Sequence, residues 1–419
     1  MKIAIIGSGI SGNVVAHHLY REHDITLFER TDYVGGHTHT HDIEFSGERH
    51  QIDTGFIVFN DWTYPNFVEL LNELGVESQA TEMSFSVRNH SSGLEYNGSN
   101  LDTLFAQRKN LLRPAFYKMI AEIVRFNREA PKLLETSSEI SLGDYLFDQG
   151  YGAQFIGDYL VPMGAAIWST DPSRMLSFPA QFFVRFFHNH GMLSIDERPV
   201  WRVVTGGSRQ YVDRLVSPFR DRIKLGSAVE WVQRWSERVL VKCRGEEAER
   251  FDHVFIACHA DQALKILADP SEQERKVLGA FSYQSNEAVL HTDISLLPVA
   301  RKAWAAWNYQ VGPKSSSAGT SGATLTYNMN ILQNLKSDHT FCVSLNRSED
   351  IDPAKILKRV NYEHPLYTRA SIAAQRAHSS ISGVNQSHFC GAYWGYGFHE
   401  DGVKSSLDAL RGFERQINA

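Results

Sequence analysis

The stretch that most constrains this chain lies at residues 3–37, which read as a strand, a glycine turn, a helix and a second strand. Its first four residues are all apolar and too few for a helix, which is typical of a strand buried on both faces. Gly7, Gly9 and Gly12 follow as G-x-G-x-x-G. These glycines allow, in order, a tight turn, a backbone bare enough for a pyrophosphate to approach, and close packing of the following helix on the sheet. The helix predicted over 11–22 points its N-terminal N–H groups at that phosphate.

The second predicted strand, 25–28, is followed by Glu29, 20 residues after Gly9. A carboxylate at this place accepts hydrogen bonds from a ribose diol. Gly35 and Gly36 come next and let another backbone segment approach the cofactor. G-x-G-x-x-G alone is weak evidence, but strand, helix and acid accompany it here. The sequence therefore predicts a dinucleotide site.

The spacing from Glu29 to the glycine pair resembles the flavin amine oxidase superfamily, which includes protoporphyrinogen oxidases and carotenoid desaturases. The resemblance implies FAD rather than NAD, and an enzyme that is an FAD-dependent oxidoreductase. It implies an α/β fold, with a Rossmann-like FAD-binding domain and a discontinuous α+β substrate domain. That superfamily usually has Arg after the glycine pair, where this chain has His37. The charge expected near the flavin or its phosphates is therefore predicted to be absent or pH-dependent.

Later segments resemble the same superfamily in the expected order: 53–56, 201–208, 223–229, 251–261 and 389–403, the last followed by a helix predicted over 404–416. Ala392 stands where the family usually has an acidic residue. The glycine motif and the resemblance together predict the cofactor-binding residues, namely Gly7, Gly9, Ile10, Ser11, Gly12, Glu29, Arg30, Gly35, Gly36, His37, Gly55, Phe56, Val229, Ala257, Gly391, Gly402 and Val403.

The length of 419 residues allows two domains. We assign 1–62, 202–270 and 386–419 to the FAD-binding domain, and 63–201 and 271–385 to the substrate domain. A net charge of −6 argues against a nucleic-acid partner. The four cysteines, at 243, 258, 342 and 390, show no C-x-x-C spacing, so neither a metal site nor a disulfide framework is predicted.

No export signal precedes the first predicted strand, and no apolar run reaches the ~20 residues of a membrane span. We therefore expect a cytoplasmic protein. Segment 103–126 mixes Arg108, Lys109, Arg113 and Lys118 with apolar and aromatic residues. Two interpretations of it stay open: a helix packed on the core with its charges in water, or an amphipathic face for peripheral contact with the inner face of the membrane. Residues 313–323 are predicted to be a flexible loop.

Several phrases, including 160–169, 189–191, 304–309, 327–330, 363–365 and 397–402, resemble one bacterial group more closely. These are flavin-dependent oxidoreductases associated with cyclopropane-fatty-acyl-phospholipid synthase-like methyltransferases, similar to furan fatty acid desaturases. The resemblance implies a lipid acyl chain as substrate and such a methyltransferase as partner. From the residues themselves, the aromatic-rich stretch 151–201 is mostly core, with a minority of side chains lining a long apolar pocket.

The mechanism implied is hydride transfer from an acyl carbon to flavin, with the neighbouring proton lost to a base. His190, His291 and His399 are the candidates for that base. His291 and Asp293 fall on one face of a predicted strand, and a purely structural hydrogen bond between them is the favoured interpretation. Alternatives are a flavin enzyme acting on an amine, a porphyrin or a polyene, a fatty-acid double-bond isomerase, and a non-catalytic flavin-binding partner of a lipid methyltransferase.

Overall fold

A computed structural model describes residues 1–136, 139–194, 196–312 and 323–418. The loop predicted over 313–323 lies outside these ranges except for Ala323. The molecule is built on two main sheets, which we call the nucleotide sheet and the large sheet.

The nucleotide sheet is parallel throughout. Ile3, Ala4 and Ile5 are fully buried at its centre, because the helices Ile10–Leu19 and His399–Ile417 pack on one face of the sheet and the strands Val229–Arg234, Val239–Cys243 and Glu249–Phe251 pack on the other. The strands are, in spatial order, Ile223–Lys224, Asp24–Phe28, Lys2–Ile6, His253–Ile256 and Ser387–Phe389. The helix Ile10–Leu19, here the first helix, connects the two strands predicted from the glycine motif. All five strands fall within the segments assigned to the FAD-binding domain.

The large sheet is antiparallel except where Trp307–Val311 pairs with Phe85–Asn89. Its strands are, in spatial order, Ile356–Leu366, Ser282–His291, Cys342–Leu345, Leu325–Asn328, Trp307–Val311, Phe85–Asn89 and Leu94–Asn97. Smaller units are the antiparallel sheet Val229–Arg234, Val239–Cys243 and Glu249–Phe251, the hairpin Thr40–Phe45 and Glu48–Asp53, and the sheet Val58–Asn60, Trp201–Val204 and Ser78–Ala80.

Helices surround both sheets. The α-helices of the described residues are Ile10–Leu19, Pro65–Glu73, Leu101–Leu104, Pro114–Glu129, Leu142–Asp148, Ala153–Phe155, Val161–Trp168, Pro172–Met175, Ala180–Asn189, Arg209–Val216, Ala260–Ile266, Glu272–Leu278, Met329–Leu332, Arg369–Gln375 and His399–Ile417. Short 3₁₀ turns include Arg108–Leu112 and Ala392–Trp394. None of the helices in the described ranges is long and apolar enough to cross a bilayer.

The helix His399–Ile417, here the last helix, begins five residues before the start predicted at 404. The Asp401 carboxylate accepts the backbone N–H of Phe398 at 2.9 Å, which satisfies a donor left free at the helix start. Gly402 and Val403 therefore lie inside the first turns rather than before the helix.

One helix packs differently from the predicted domain division. Phe67, Leu70 and Leu71 of the helix Pro65–Glu73 share a core with the first helix, the last helix and Tyr211. This helix therefore belongs with the nucleotide sheet, although residues from 63 onward had been assigned to the substrate domain. The domain bounds otherwise stay a prediction.

Candidate active site

A cavity of about 1850 Å³ lies between the two main sheets. Parallel strands share one carboxyl edge, and the residues that follow four of the nucleotide strands, Gly7, Glu29, Ala257 and Gly391, meet there on the cavity wall. The other predicted cofactor residues on this wall are Gly9, Ile10, Ser11, Arg30, Gly35, Gly36, His37, Gly55, Phe56 and Val229. Residues scattered over most of the chain are thus collected at one surface.

The three glycines of the first turn have different roles. A Cβ on Gly12 would lie 1.8 Å from the Gly7 carbonyl oxygen, and a Cβ on Gly7 would lie 2.8 Å from that of Ala257. These two glycines allow the backbone to pack closely. A Cβ on Gly9 would meet no heavy atom within 4 Å. The space beside Gly9 opens into the cavity, as a turn that receives a phosphate requires.

Glu29 is held in place before any ligand arrives. Its carboxylate accepts the Ser8 backbone N–H at 3.0 Å and the Thr31 backbone N–H at 2.9 Å, as well as the Ser8 and Thr31 hydroxyls at 2.7 and 2.9 Å. The backbone donors fix the position of the carboxylate, whereas hydroxyl donors can rotate away. The hydroxyls of a ribose can therefore take the place of the side-chain donors.

Three predicted cofactor residues do not line the cavity: Gly12, Gly402 and Val403. A Cβ on Gly402 would lie 2.7 Å from Ile10 Cγ2, and the Gly402 carbonyl accepts the Ser11 hydroxyl at 3.1 Å. Val403 is buried in the adjoining core. The structure gives these residues the role of bringing the last helix against the first helix.

His37 lies in a cluster of rings on the cavity wall. Its ring centroid is 5.1 Å from that of Tyr362, 5.5 Å from that of His364 and 6.1 Å from that of His259. Burial, together with His259, lowers the pKa of His37 to about 4. Burial, with His37 as a lesser cause, lowers the pKa of His364 to about 3. His37 therefore carries no charge at neutral pH. Among the described residues, no cluster of His, Cys, Asp and Glu side chains could hold a metal ion.

The nucleotide side of the cavity fits the FAD that the resemblance implies. Gly9 would leave room for the pyrophosphate and Glu29 would accept the ribose hydroxyls. Gly36, with φ of +60°, lies so close to Gly9 that its Cβ would be 3.0 Å from the Gly9 Cα, which brings the second glycine segment onto the turn. The volume also exceeds the roughly 300–1,000 Å³ of sites for single drug-sized ligands, as a site for both a dinucleotide and a substrate requires.

The substrate side of the cavity is mainly apolar. The segments assigned to the substrate domain line it with aromatic and aliphatic side chains, among them Phe85, Ile123, Trp168, Phe186, Trp307 and Tyr327. Besides His190 and His364, the only acidic or basic side chains that these described segments add to the wall are Arg198 and Glu363. Glu363 lies 3.5 Å from His259 Nδ1, within the ring cluster. Burial raises the pKa of Tyr159 to about 12 and the nearby Arg198 opposes that shift.

His190 lines the cavity with one ring nitrogen fixed. His190 Nδ1 is 2.9 Å from the Phe186 carbonyl oxygen. Because a carbonyl only accepts, Nδ1 carries the proton and Nε2 is left as the proton acceptor. The ring stacks on Phe186 at 3.8 Å, and burial lowers the pKa of His190 to about 4. The imidazole is therefore neutral at pH 7.

His399 also lines the cavity, but its Nε2 is engaged. It lies 3.0 Å from both the Thr38 and the Tyr211 hydroxyls, and the ring stacks on Phe56 at 3.5 Å. His291 does not line the cavity. It is fully buried in the large sheet, where Nε2 is 2.8 Å from the Ser344 hydroxyl and Nδ1 accepts the Asp293 backbone N–H at 3.0 Å. His291 therefore has a structural role, and its contact with Asp293 runs through the backbone rather than through the carboxylate.

Sequence reasoning missed two parts of this wall. One is the edge strand Ile356–Leu366, which brings Tyr362, Glu363 and His364 to the cavity. The signal against a strand was Pro365, but an edge strand tolerates proline. The other is Arg198, which directly follows two acidic residues and reads locally as part of a solvated turn.

The comparisons with known proteins agree with this architecture. The sequence model of a family described as flavin containing amine oxidoreductase matches residues 10–312. No curated protein matches the chain. Cyclohexylamine oxidase from Brevibacterium oxydans IH-35A is similar with a TM-score of 0.71 and 14% identity, over 100% of this chain and 99% of that one. Putrescine oxidase bound to putrescine has a TM-score of 0.68 and 16% identity, over 99% and 100%. A CLA-producing fatty acid isomerase from P. acnes has a TM-score of 0.67 and 14% identity, over 98% of each. At these identities the structures show the fold alone, and they confirm the predicted fold class.

Proposed function

The chain belongs to the family of flavin-containing amine oxidoreductases, and as such is an FAD-dependent oxidoreductase; we propose that it desaturates a methylated or unsaturated fatty-acyl chain of a phospholipid. The fatty acid isomerase from P. acnes, a protein of the same fold, supports an acyl substrate. The resemblance to enzymes associated with cyclopropane-synthase-like methyltransferases supports the same class and suggests such a methyltransferase as a partner.

The observation that carries the proposal is the composition of the substrate wall. A cationic amine in this part of the cavity would be stabilised by a carboxylate or by an aromatic cage, because a buried unpaired charge is costly. The only carboxylate that the described substrate segments offer is that of Glu363, which lies against His259. Arg198, the other charged residue of this wall, repels a cation. An uncharged acyl chain is favoured along aromatic and aliphatic walls, at roughly 25 cal/mol per Å² of apolar surface buried.

The residues of the chain divide the reaction between them. Bound FAD would accept a hydride from one acyl carbon, and a proton would leave the neighbouring carbon as the double bond forms. His190 is placed to take that proton on Nε2, because Nδ1 is committed to the Phe186 carbonyl. The apolar wall orients the chain and excludes water. His399, with both hydroxyls on Nε2, holds Thr38 and Tyr211 in position.

The proposal is tested on the purified holoenzyme without oxygen. Detergent-dispersed bacterial phospholipid with methylated and unsaturated chains should bleach the flavin absorbance, and mass spectrometry should show an acyl product that has lost two hydrogens. A flavin that lipid leaves oxidised, but that an amine, a porphyrinogen or a polyene reduces, would overturn the lipid assignment.

The same experiment includes a pair of variants. Substitution His190→Gln should slow the bleaching by about 100-fold, the lower end of what a positioned base contributes, with an unchanged flavin spectrum. His188, exposed in the last turn of the helix Ala180–Asn189 that ends just before His190, provides the matched control, and His188→Gln should bleach at the rate of the parent enzyme. Equal rates in both variants would remove His190 from the role of base.

A double-bond isomerase is the second candidate, favoured by the isomerase of the same fold. It uses the same cavity but returns the hydrogen to the chain. The products separate the two activities, since an isomerase gives a shifted double bond with no loss of mass and no lasting bleaching of flavin. A non-catalytic flavin-binding partner of the methyltransferase would give neither product.

A further inference from the structure

The cavity has apolar side chains at its mouth that face solvent. Leu101 is 76% exposed and Val124 is 47% exposed, and both also line the cavity. Each side chain therefore contacts both the solvent and the cavity. An apolar molecule that passes between them stays in contact with apolar surface from the exterior to the cavity.

The exposed apolar surface continues away from the mouth. Leu111, Leu112 and Tyr117 are 46%, 88% and 46% exposed. Five of the fourteen large apolar side chains exposed in the described residues fall within residues 101–124, and the Tyr117 hydroxyl donates to the Leu111 carbonyl at 3.1 Å. Single exposed apolar residues need no explanation, but a contiguous patch marks an interaction site. We call this set, Leu101, Leu111, Leu112, Tyr117 and Val124, the docking face.

The helix Pro114–Glu129 explains how the docking face is joined to the cavity. Phe116, Met119 and Phe126 pack into the core beneath it. Ile120 and Ile123 line the cavity. Tyr117 and Val124 face outward, seven residues apart on one stripe. A helix that is apolar toward core, cavity and exterior is not the ordinary surface helix with a polar outer face.

Most charges in the segment that carries the docking face are basic. Residues 101–124 contain four basic and two acidic side chains, in a protein of net charge −6. Of the two acids, Glu122 is buried and accepts the Gly152 backbone N–H, and Asp102 pairs with Arg108 and, at 2.8 Å, with Lys302. Lys109, Arg113 and Lys118 have no ion-pair partner within the described residues. An anionic surface is the complement of three free cations beside exposed leucines.

We propose that the docking face binds the surface of an anionic phospholipid bilayer, and that an acyl chain enters the cavity between Leu101 and Val124. Leu111, Leu112 and Tyr117 enter the interface, while Lys109, Arg113 and Lys118 contact phosphates. The inference deepens the proposed function, on which it rests for the identity of the acyl chain.

Vesicle binding tests the docking face directly. The holoenzyme should cosediment with vesicles of phosphatidylglycerol and phosphatidylcholine, less so as salt rises, and weakly with phosphatidylcholine alone. The triple variant Lys109→Glu, Arg113→Glu and Lys118→Glu should bind at least about 100-fold more weakly, at about fivefold for each cation lost. The double variant Leu111→Ser and Leu112→Ser should bind more than tenfold more weakly.

Two controls match these variants. Phe147, 84% exposed but outside the docking face, gives Phe147→Ser, and the exposed Lys276 gives Lys276→Glu. Both should bind vesicles like the parent enzyme. Equal binding by all variants, equal binding to both kinds of vesicle, or no vesicle binding because the face covers a protein partner would each overturn the proposal.

The failure of this proposal is distinguishable from that of the proposed function. With lipid dispersed in detergent no bilayer is needed, so the docking variants should bleach their flavin at the rate of the parent. Suppose that detergent-dispersed lipid bleaches the flavin of neither the parent nor the variants, while the docking-face variants bind vesicles more weakly than the parent. The proposed acyl reaction is then contradicted, and the membrane-binding role of the docking face is supported.

Discussion

At the scale of single residues, Gly9 separates cofactor binding from folding. Its missing side chain faces open space, and its φ of −68° is available to any residue. Substitution Gly9→Val should therefore leave the fold intact and fill the space that the pyrophosphate needs. The purified variant should show the circular dichroism of the parent and no flavin absorbance.

The control is Gly157→Val, at a glycine whose Cβ would also meet nothing within 4 Å and which lies off the cavity. It should retain flavin. In contrast, Gly12→Val should not yield folded protein, because its Cβ would lie 1.8 Å from the Gly7 carbonyl oxygen. A Gly9→Val protein that keeps its full flavin content would contradict the cofactor site.

The glycine motif predicts this division of roles, because its second glycine leaves room for a pyrophosphate and its third allows the helix to pack closely on the sheet. The space beside Gly9 and the close contact at Gly12 agree with that assignment. For the histidines the sequence is less decisive. It favours a structural role for His291 but does not separate His190 from His399, because the Phe186 carbonyl and the Tyr211 hydroxyl that distinguish them come from the folded surroundings.

At the scale of elements, the strands Lys2–Ile6 and Asp24–Phe28 are predictable because their apolar runs are short and the glycine turn and one helix lie between them. The start of the last helix is less so. Gly402 lowers the helix propensity of its first turns, although Asp401, three residues after Phe398, is a recognisable capping residue. The strand Ile356–Leu366 escapes prediction for the reason given above, that an edge strand accepts polar residues and a proline.

Glu400 links two of these elements. Its carboxylate accepts the backbone N–H of Phe67 at 2.9 Å and that of Asn66 at 3.2 Å, at the start of the helix Pro65–Glu73. Substitution Glu400→Gln keeps the shape but removes the negative charge from a helix N-terminus. We expect the free energy of unfolding in urea to fall by about 1 kcal/mol.

The matched control for this prediction is Glu77→Gln, an exposed acid just beyond the same helix, which should change the free energy of unfolding by less than about 0.5 kcal/mol. Both variants should retain their flavin. Equal stability of the Glu400→Gln variant and the parent would show that the contact to Phe67 does not act as a cap.

At the scale of the whole molecule, buried neutral histidines lie in both main sheets and on the cavity wall. Burial lowers the pKa of His190 and His291 to about 4, and that of His364 and His388 to about 3. Three buried carboxyl groups shift the other way, since burial raises the pKa of Asp53 to about 6, that of Asp401 to about 7, and also that of Asp158. Lowering the pH therefore destabilises the fold through the histidines and stabilises it through the carboxyl groups.

The direction of the pH dependence follows from which state, folded or unfolded, binds protons at the higher pH. Below about pH 6.5 the unfolded chain protonates its histidines while the folded protein does not. The stabilisation of the fold by these neutral histidines is therefore fully present above that pH and is lost as the pH falls toward 4. The folded protein, however, protonates Asp53 and Asp401 before the unfolded chain does, which favours folding in acid. The histidines are more numerous, and each contributes up to about 1.4 kcal/mol per pH unit.

We therefore expect the free energy of unfolding, measured in urea at pH 7, 6 and 5, to fall steadily. Substitution His388→Phe should flatten this dependence by up to one proton, because His388 is fully buried against Phe255 and Phe413, and a phenyl ring keeps those contacts. A free energy of unfolding that rises from pH 7 to pH 5 would mean that the buried carboxyl groups dominate. An unchanged slope in the variant would mean that His388 is protonated in the folded protein.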